Sequence, residues 1–117
     1  MQFIIIAMDD TCTHISLAGR LDALGAIDMD NKLSGRIIAR KKNTVLDLTE
    51  VSFLSSVGIR LFVKIAKALA LEGKKLILAS PRPMVKEVVD ATGIDIHIQI
   101  ESSPDMAVEI ARAGAIG

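Results

Sequence analysis

The feature that most constrains this chain is the alternation of compact apolar runs with stretches of helical period. Thr44 to Leu48 (T-V-L-D-L) and Leu76 to Ala79 (L-I-L-A) are short and dominated by aliphatic residues, as buried strands are. Around them the spacing of apolar residues changes to threes and fours. Ala26, Met29, Leu33 and Ile37 form one stripe over a helix expected from Ala23 to Ala39, with Asp28, Lys32 and Arg36 on another side and Asp22 at the N-cap position. A second helix is expected from Ser56 to Leu71, closed by Glu72-Gly73. Pro81 and Pro83 lead into a third around Met84 to Ala91, stopped by Gly93. Ser103-Pro104-Asp105 opens the last, to about Ala113, with Gly114 to Gly117 expected to fray.

The chain begins differently. Gln2 to Met8 is an apolar run, and Thr13 to Ala18 alternates, with Ile15 and Leu17 on one side and His14 and Ser16 on the other. Asp9-Asp10 between them is a turn signal, so the two segments read as a hairpin, with Gly19 ending the second strand. Ile94 to Ile100 alternates strictly and its tail reads as a further strand. The predicted order is therefore β-β-α-β-α-β-α-β-α. Helical connections imply right-handed crossovers and parallel pairing, whereas the opening hairpin is antiparallel. The fold class is α/β, a mixed central sheet with about four helices packed against it.

At 117 residues the chain has room for one domain, read as residues 1–117, with no repeat, linker or low-complexity segment. Such a chain buries roughly two-thirds of the surface its unfolded form exposes. Its 14 basic and 14 acidic residues balance, so no strong field draws it to nucleic acid or a membrane surface. Phe3, Phe53 and Phe62 are its only aromatic residues, too few for base stacking. The run Arg36 to Lys42 reads as a solvated helix end. A single cysteine, Cys12, excludes an internal disulfide and a cysteine-cluster metal site, and reads as a buried thiol. The opening MQFIIIAMDD is too short for a span and lacks a basic lead, so a cytoplasmic protein is expected. His14 and His97 stand far apart, each among apolar neighbours, without a nucleophile elbow or phosphate-cradling loop. Neither catalytic residues nor a cofactor or metal is expected.

The segment from Asp47 to Lys67, D-L-T-E-V-S-F-L-S-S-V-G-I-R-L-F-V-K-I-A-K, resembles the switch region of STAS domains. That family comprises cytoplasmic domains of sulfate transporters and the anti-sigma factor antagonists. Phe53-Leu54-Ser55-Ser56-Val57-Gly58-Ile59 lies over the family's switch pattern, with Ser55 where an acidic residue is usual and Val57 where a hydroxyl residue is usual. Gly19-Arg20-Leu21-Asp22, Gly73-Lys74-Lys75-Leu76 and Pro83 to Gly93 resemble other landmarks of the same family, so the likeness covers nearly the whole chain. The resemblance implies the STAS fold and a single-domain anti-sigma factor antagonist, with Ser56 as the phosphorylated residue. It implies an anti-sigma factor that is itself a serine kinase as partner, and a PP2C-type serine phosphatase that resets the switch. The kinase would bring ATP, magnesium and the catalytic residues. Two alternatives share the domain: an interaction module with a non-sigma target, and an accessory subunit of a lipid or anion transporter.

Apart from the resemblance, a serine at the start of an apolar helix is ordinarily its N-cap. Ser55 and Ser56 cannot both cap, which leaves one hydroxyl spare. A phosphate adds roughly −1.5 to −2 charges, and a helix N-terminus tolerates them through free N–H groups and the dipole. Arg60, four residues on, either steadies such a phosphate or is simply solvated. Asp22 either caps or lies near the phosphorylation loop, as the family's turn does. In the helix from Ser56, Ile59, Phe62, Val63, Ala66 and Ala70 read as core and Arg60, Lys64 and Lys67 as a basic stripe, with Leu61 expected to be exposed. The candidate partner surface is thus Asp22, Ser55, Val57, Gly58, Arg60 and Leu61 around Ser56.

Overall fold

Asp9 builds the first turn. In the computed structural model, which describes residues 2–93 and 98–116, its carboxylate accepts from Thr11 N–H (2.9 Å), Thr11 Oγ1 (2.6 Å) and Cys12 N–H (3.1 Å). The Thr11 hydroxyl and these backbone donors hold its pKa down, from 3.8 to about 2. The turn joins β1 (Gln2–Met8) to β2 (Thr13–Leu21) in the antiparallel hairpin expected from sequence. Next come α1 (Ala23–Met29), a wide π turn (Asp30–Ser34) and α2 (Gly35–Arg40). After these follow β3 (Thr44–Leu54), α3 (Ser56–Ala70), β4 (Leu76–Ala79), α4 (Pro83–Thr92), β5 (Gln99–Glu101) and α5 (Pro104–Ile116).

The sheet order is β1-β2-β3-β4-β5, with β2-β3, β3-β4 and β4-β5 parallel. Each crossover steps the same way, and right-handed connections of that kind put their helices on one face. There Ile15, Leu17, Leu46, Leu48, Leu76 and Leu78 meet Met29, Ile37, Phe62, Ile65, Val85 and Val89 in the main core. The alternate residues of the same strands, Val45, Ile77 and Ala79, point the other way and are covered by α5 through Ala107 and Ala111. Cys12, just ahead of β2, is a buried free thiol in this second cluster. His14 lies half-buried in β2 with its Nε2 unpartnered among the described residues. Burial lowers its pKa below the ordinary 6.5, against the pull of Asp47.

Three expectations need correcting. The helix predicted over Ala23 to Ala39 runs unbroken to Arg40 but is not α throughout: the Ser34 hydroxyl donates back to the Asp30 carbonyl (2.8 Å) and to the Asp30 carboxylate, and the turn between them is a wide π turn. β2 does not end at Gly19, nor β3 at Leu48; both run on, for a reason given below. The last helix continues through Ile116 where fraying was expected from Gly114. Of the alternating stretch Ile94 to Ile100, positions 94–97, His97 included, lie outside the described residues; its tail is β5.

Asn43 fastens α5 to the sheet. Its amide donates to the Ala111 carbonyl (3.1 Å) and accepts from Lys75 N–H (2.9 Å). Gly114 permits this approach, since a Cβ there would stand 2.5 Å from Asn43 Nδ2. Asn43→Ala leaves both backbone groups without their partner and is expected to cost about 2 kcal/mol in urea unfolding. For Asp9 the sign follows from its lowered pKa: its contribution is complete above the unfolded value and is lost as pH falls through about 2. NMR titration of the Asp9 carboxyl carbon is expected to show that low midpoint, and Thr11→Ala to raise it.

Candidate functional site

The site is built by the stretch of β2 and β3 that outruns the sheet. β1 pairs with β2 only as far as Ala18, and β4 pairs with β3 only as far as Asp47. Beyond those points Gly19, Arg20 and Leu21 pair with Val51, Phe53 and Leu54 as a two-stranded parallel ribbon. One register shift lies at its base, between Ser16 and Ala18, and a second within it, between Gly19 and Arg20. At the first, the Asp47 carboxylate accepts from Thr49 N–H (2.9 Å) and Thr49 Oγ1 (2.6 Å), folding the D-L-T segment locally. That turn-like signal is why a strand end at Leu48 is expected from sequence although pairing resumes at Glu50.

At its tip the ribbon launches two helices side by side. Leu21 pairs with Leu54, and Ser55 N–H donates to the Leu21 carbonyl at 2.9 Å. The next residues, Asp22 and Ser55, are the N-caps of α1 and α3. Asp22 Oδ1 accepts from Gly25 N–H (2.9 Å), and Ser55 Oγ accepts from Gly58 N–H (3.2 Å). Each cap is thus followed three residues later by a glycine, and neither place has room for a Cβ. At Gly25 it would collide with the Arg20 carbonyl; at Gly58 it would stand 2.9 Å from Leu21 and Leu54 side-chain carbons. The outer carboxylate oxygen of Asp22 lies 3.9 Å from Arg20 Nε, and the Arg20 guanidinium stacks 4.3 Å from the Phe53 ring centroid.

This resolves the competition between the two serines. Ser55 is the cap, and Ser56, the first residue of α3, is exposed. Its hydroxyl makes no hydrogen bond among the described residues. Its backbone N–H and that of Val57 are the first two of the helix, which have no intrahelical acceptor. Asp22 takes the capping role. Arg60 is exposed one turn beyond Ser56, without an ion pair among the described residues, while Lys64 pairs with Asp30 at 2.8 Å.

Val57 is half-buried and Gly58 buried. Leu61, expected to be exposed, is buried at 6%. α3 is flanked by α1 and α2 on one side and rests on the sheet, so its apolar arc is wider than one stripe: Gly58, Ile59, Leu61, Phe62, Ile65, Ala66 and Leu69 are all buried. Beside the start of α3 the exposed large apolar residues lie instead on α1. Leu24 is 79% and Ile27 54% exposed. Both fall off the stripe of Ala26, Met29, Leu33 and Ile37, and that mismatch was the available signal. Ile27, Val57 and Leu61 line a notch of ≈ 210 Å³ between α1 and α3, bordered by Arg60, Lys64 and Asp30. On the other side of α3 a groove of ≈ 560 Å³ runs from Ser56 past Ile59 and Val63 towards Thr92, edged by Arg60 and Lys67. Five of the seven sequence candidates, Asp22, Ser55, Ser56, Val57 and Arg60, therefore lie at the surface around the ribbon tip, with Gly58 and Leu61 buried beneath them.

Comparison with known proteins agrees with this architecture. A family model, the STAS domain, matches residues 4–107. BtrV of Bordetella bronchiseptica, named as a candidate anti-sigma factor antagonist, is 29% identical over 91 residues, 78% of each chain. A crystal structure of an anti-sigma factor antagonist from Mycobacterium paratuberculosis superposes with a TM-score of 0.81 at 23% identity, covering 95% of both chains. The anti-sigma factor antagonist SpoIIAA in its unphosphorylated form superposes with a TM-score of 0.72 at 19% identity, covering 95% of this chain and 98% of that one. SpoIIAA from Bacillus has also been solved in a phosphorylated form. No helix among the described residues is long and apolar enough to cross a membrane.

Gly58→Ala drives a methyl group into Leu21 and Leu54 and is expected to destabilise by about 1–3 kcal/mol. Gly35 supplies the control, because nothing lies within 4 Å of a Cβ there. Gly35→Ala is expected to stabilise by about 0.5–1 kcal/mol in the same urea titration.

Proposed function

The chain belongs to the STAS domain family, and we propose that it acts as an anti-sigma factor antagonist in a partner-switching pathway, with Ser56 as the switch. The unphosphorylated form binds an anti-sigma factor that is also a serine kinase. Phosphorylation of Ser56 weakens that complex, and a PP2C-type phosphatase restores it. The whole chain serves as one cytoplasmic STAS domain; it performs no catalysis of its own, and the kinase supplies ATP and magnesium.

The observation that carries this reading is the division of labour between the two serines. Ser55 satisfies the helix, so Ser56 presents an exposed hydroxyl that a kinase can take without undoing a structural hydrogen bond. A phosphate there would sit over the free first amides of α3, at the positive end of its dipole. Arg60 is the nearest cation along the helix for a charge-assisted contact. Leu24, Ile27 and Val57 provide apolar contact area for the partner, Asp22 and Arg60 its polar edge. Gly58 and Leu61 contribute from beneath, by setting the height of α3 against α1. Two negative charges in the middle of such a surface oppose an interface fitted to a neutral hydroxyl.

Incubation with the cognate kinase and ATP is expected to label the wild type and Ser55→Ala, but not Ser56→Ala. Labelling that persists in Ser56→Ala rules out Ser56 as the acceptor. Ser56→Asp is expected to weaken binding to that kinase by about tenfold or more, equivalent to about 1.4 kcal/mol. Unchanged affinity in calorimetry would sink the electrostatic mechanism while leaving the acceptor assignment standing.

A further inference from the structure

α3 is packed unequally on its two sides. α1 and α2 press against one, whereas α4 rests on β3 and leaves the groove of ≈ 560 Å³ on the other, starting at Ser56. The floor of that groove is apolar, with Ile59 buried and Val63 half-buried. Along its α3 rim stand Arg60, Lys64 and Lys67, four and three residues apart and so on one ridge of the helix. α3 carries these three cations and no acidic residue.

The α4 wall does not answer them. Lys86 lines a separate pocket with Glu101 and Ser102, towards β5, and Asp90 pairs with it at 2.8 Å. Thr92 lines the groove, and Val88, one turn before it, lies on the same side of α4, away from Lys86. Glu87 is exposed on the side of α4 opposite the buried Val85 and Val89. Lys64 is engaged by Asp30, but Arg60 and Lys67 have no ion pair among the described residues.

We propose that this groove takes an acidic amphipathic helix of the serine kinase partner, its apolar face on Ile59 and Val63 and its carboxylates on Arg60 and Lys67. The inference rests on the kinase partnership proposed above. Charge complementarity selects the occupant: two unpaired cations border an apolar floor, and neither wall supplies them with an acid. A polyanion such as nucleic acid has no counterpart to the apolar floor, and the balanced net charge gives it no long-range pull. From Arg60 to Lys67 the ridge spans roughly 10 Å, about two turns, which matches carboxylates at the same spacing on a helix laid in the groove. Ser56 stands at the mouth of the groove, so a phosphate there draws Arg60 and repels an acidic occupant from that end. The switch thereby gains a second lever beside the apolar surface of α1.

The probe is a synthetic helical peptide of about 15 residues, with glutamates at i, i+4 and i+7 and leucines on the adjoining face. Titrated into the isotope-labelled chain, it is expected to shift the amides of Ile59, Val63, Lys67 and Thr92. Lys67→Glu is expected to weaken it at least about tenfold with unchanged circular dichroism, and Arg36→Glu, the same charge change on α2, to leave it unaltered. Lys67→Ala guards against a reversal that fails to fold and is expected to weaken the peptide roughly threefold. The cognate kinase is expected to follow the same order of variants. Absent shifts along the groove, equal binding of a peptide with lysines in place of the glutamates, or equal binding to the wild type and folded Lys67→Glu overturns the proposal. A kinase that binds the wild type and folded Lys67→Glu alike overturns its assignment as the occupant. A peptide that follows the pattern beside a kinase that does not bind even the wild type overturns the kinase partnership and leaves the groove as a site for acidic helices.

Discussion

The hydrogen bond from Ser55 N–H to the Leu21 carbonyl, at the tip of the β2–β3 ribbon, is the constraint on which the rest of the site depends. It ends two strands at the same level and so starts two helices at the same level. Everything placed around Ser56 follows from that coincidence. Asp22 and Ser55 become neighbouring caps, Gly25 and Gly58 become close-approach positions, and the open sides of α1 and α3 face the same solvent. Leu21 and Leu54, both buried, form the floor against which Gly58 is pressed. A residue with a side chain at position 58 would lift α3 from that floor and pull Ser55 out of reach of its own helix.

Most of the architecture was legible in the sequence because strand and helix periods differ so plainly. Leu76 to Ala79 is a strand with those ends, and Ser56 begins its helix as the spacing predicts. Two kinds of information were not local. The ribbon beyond Leu48 depends on β2 lying alongside, and no reading of D-L-T-E alone supplies that neighbour. The π turn depends on Ser34 reaching Asp30, a choice between side-chain and backbone acceptors that the apolar stripe does not register. Leu61 went astray for a third reason. A helix with residues buried over most of its circumference has no clear outer face, so the residue nearest the switch looked exposed when α1 covers it. The spare hydroxyl was foreseen, but which serine it belonged to required the geometry of the cap.

The two faces of the sheet divide labour in a way that composition alone conceals. The face under α1 to α4 holds the large aliphatic side chains, whereas α5 approaches through Ala107 and Ala111 and is held by one buried amide, Asn43. Close approach through small residues gains less from apolar burial, since each alanine removes little area from water. Directional hydrogen bonds must then supply the specificity. The half-buried His14, with an unpartnered Nε2, lies on the same strand face as Ser16, the face that α5 leaves incompletely covered. The site at the ribbon tip belongs to the strongly packed side, and that choice of side bears on how a charge at Ser56 can act.

A phosphate can alter a protein by refolding the segment that bears it or by changing the surface that a partner meets. The first route requires a segment near balance between two arrangements. The start of α3 is not of that kind. Ser55 caps it, Ile59 N–H bonds back to the Ser55 carbonyl at 3.0 Å, and Gly58 is packed with no space for even a methyl group. An added charge at position 56 meets the favourable end of the helix dipole, worth roughly 0.3–1 kcal/mol at an exposed site, and so reinforces the arrangement already present. The free energy of modification therefore has little internal work to do. Under the proposed switch it falls on the complex, where a partner shaped to the neutral hydroxyl must accommodate or desolvate the phosphate. A domain that changes its neighbours and not itself needs a rigid platform under the modified residue, and the Leu21–Leu54 ribbon tip supplies one.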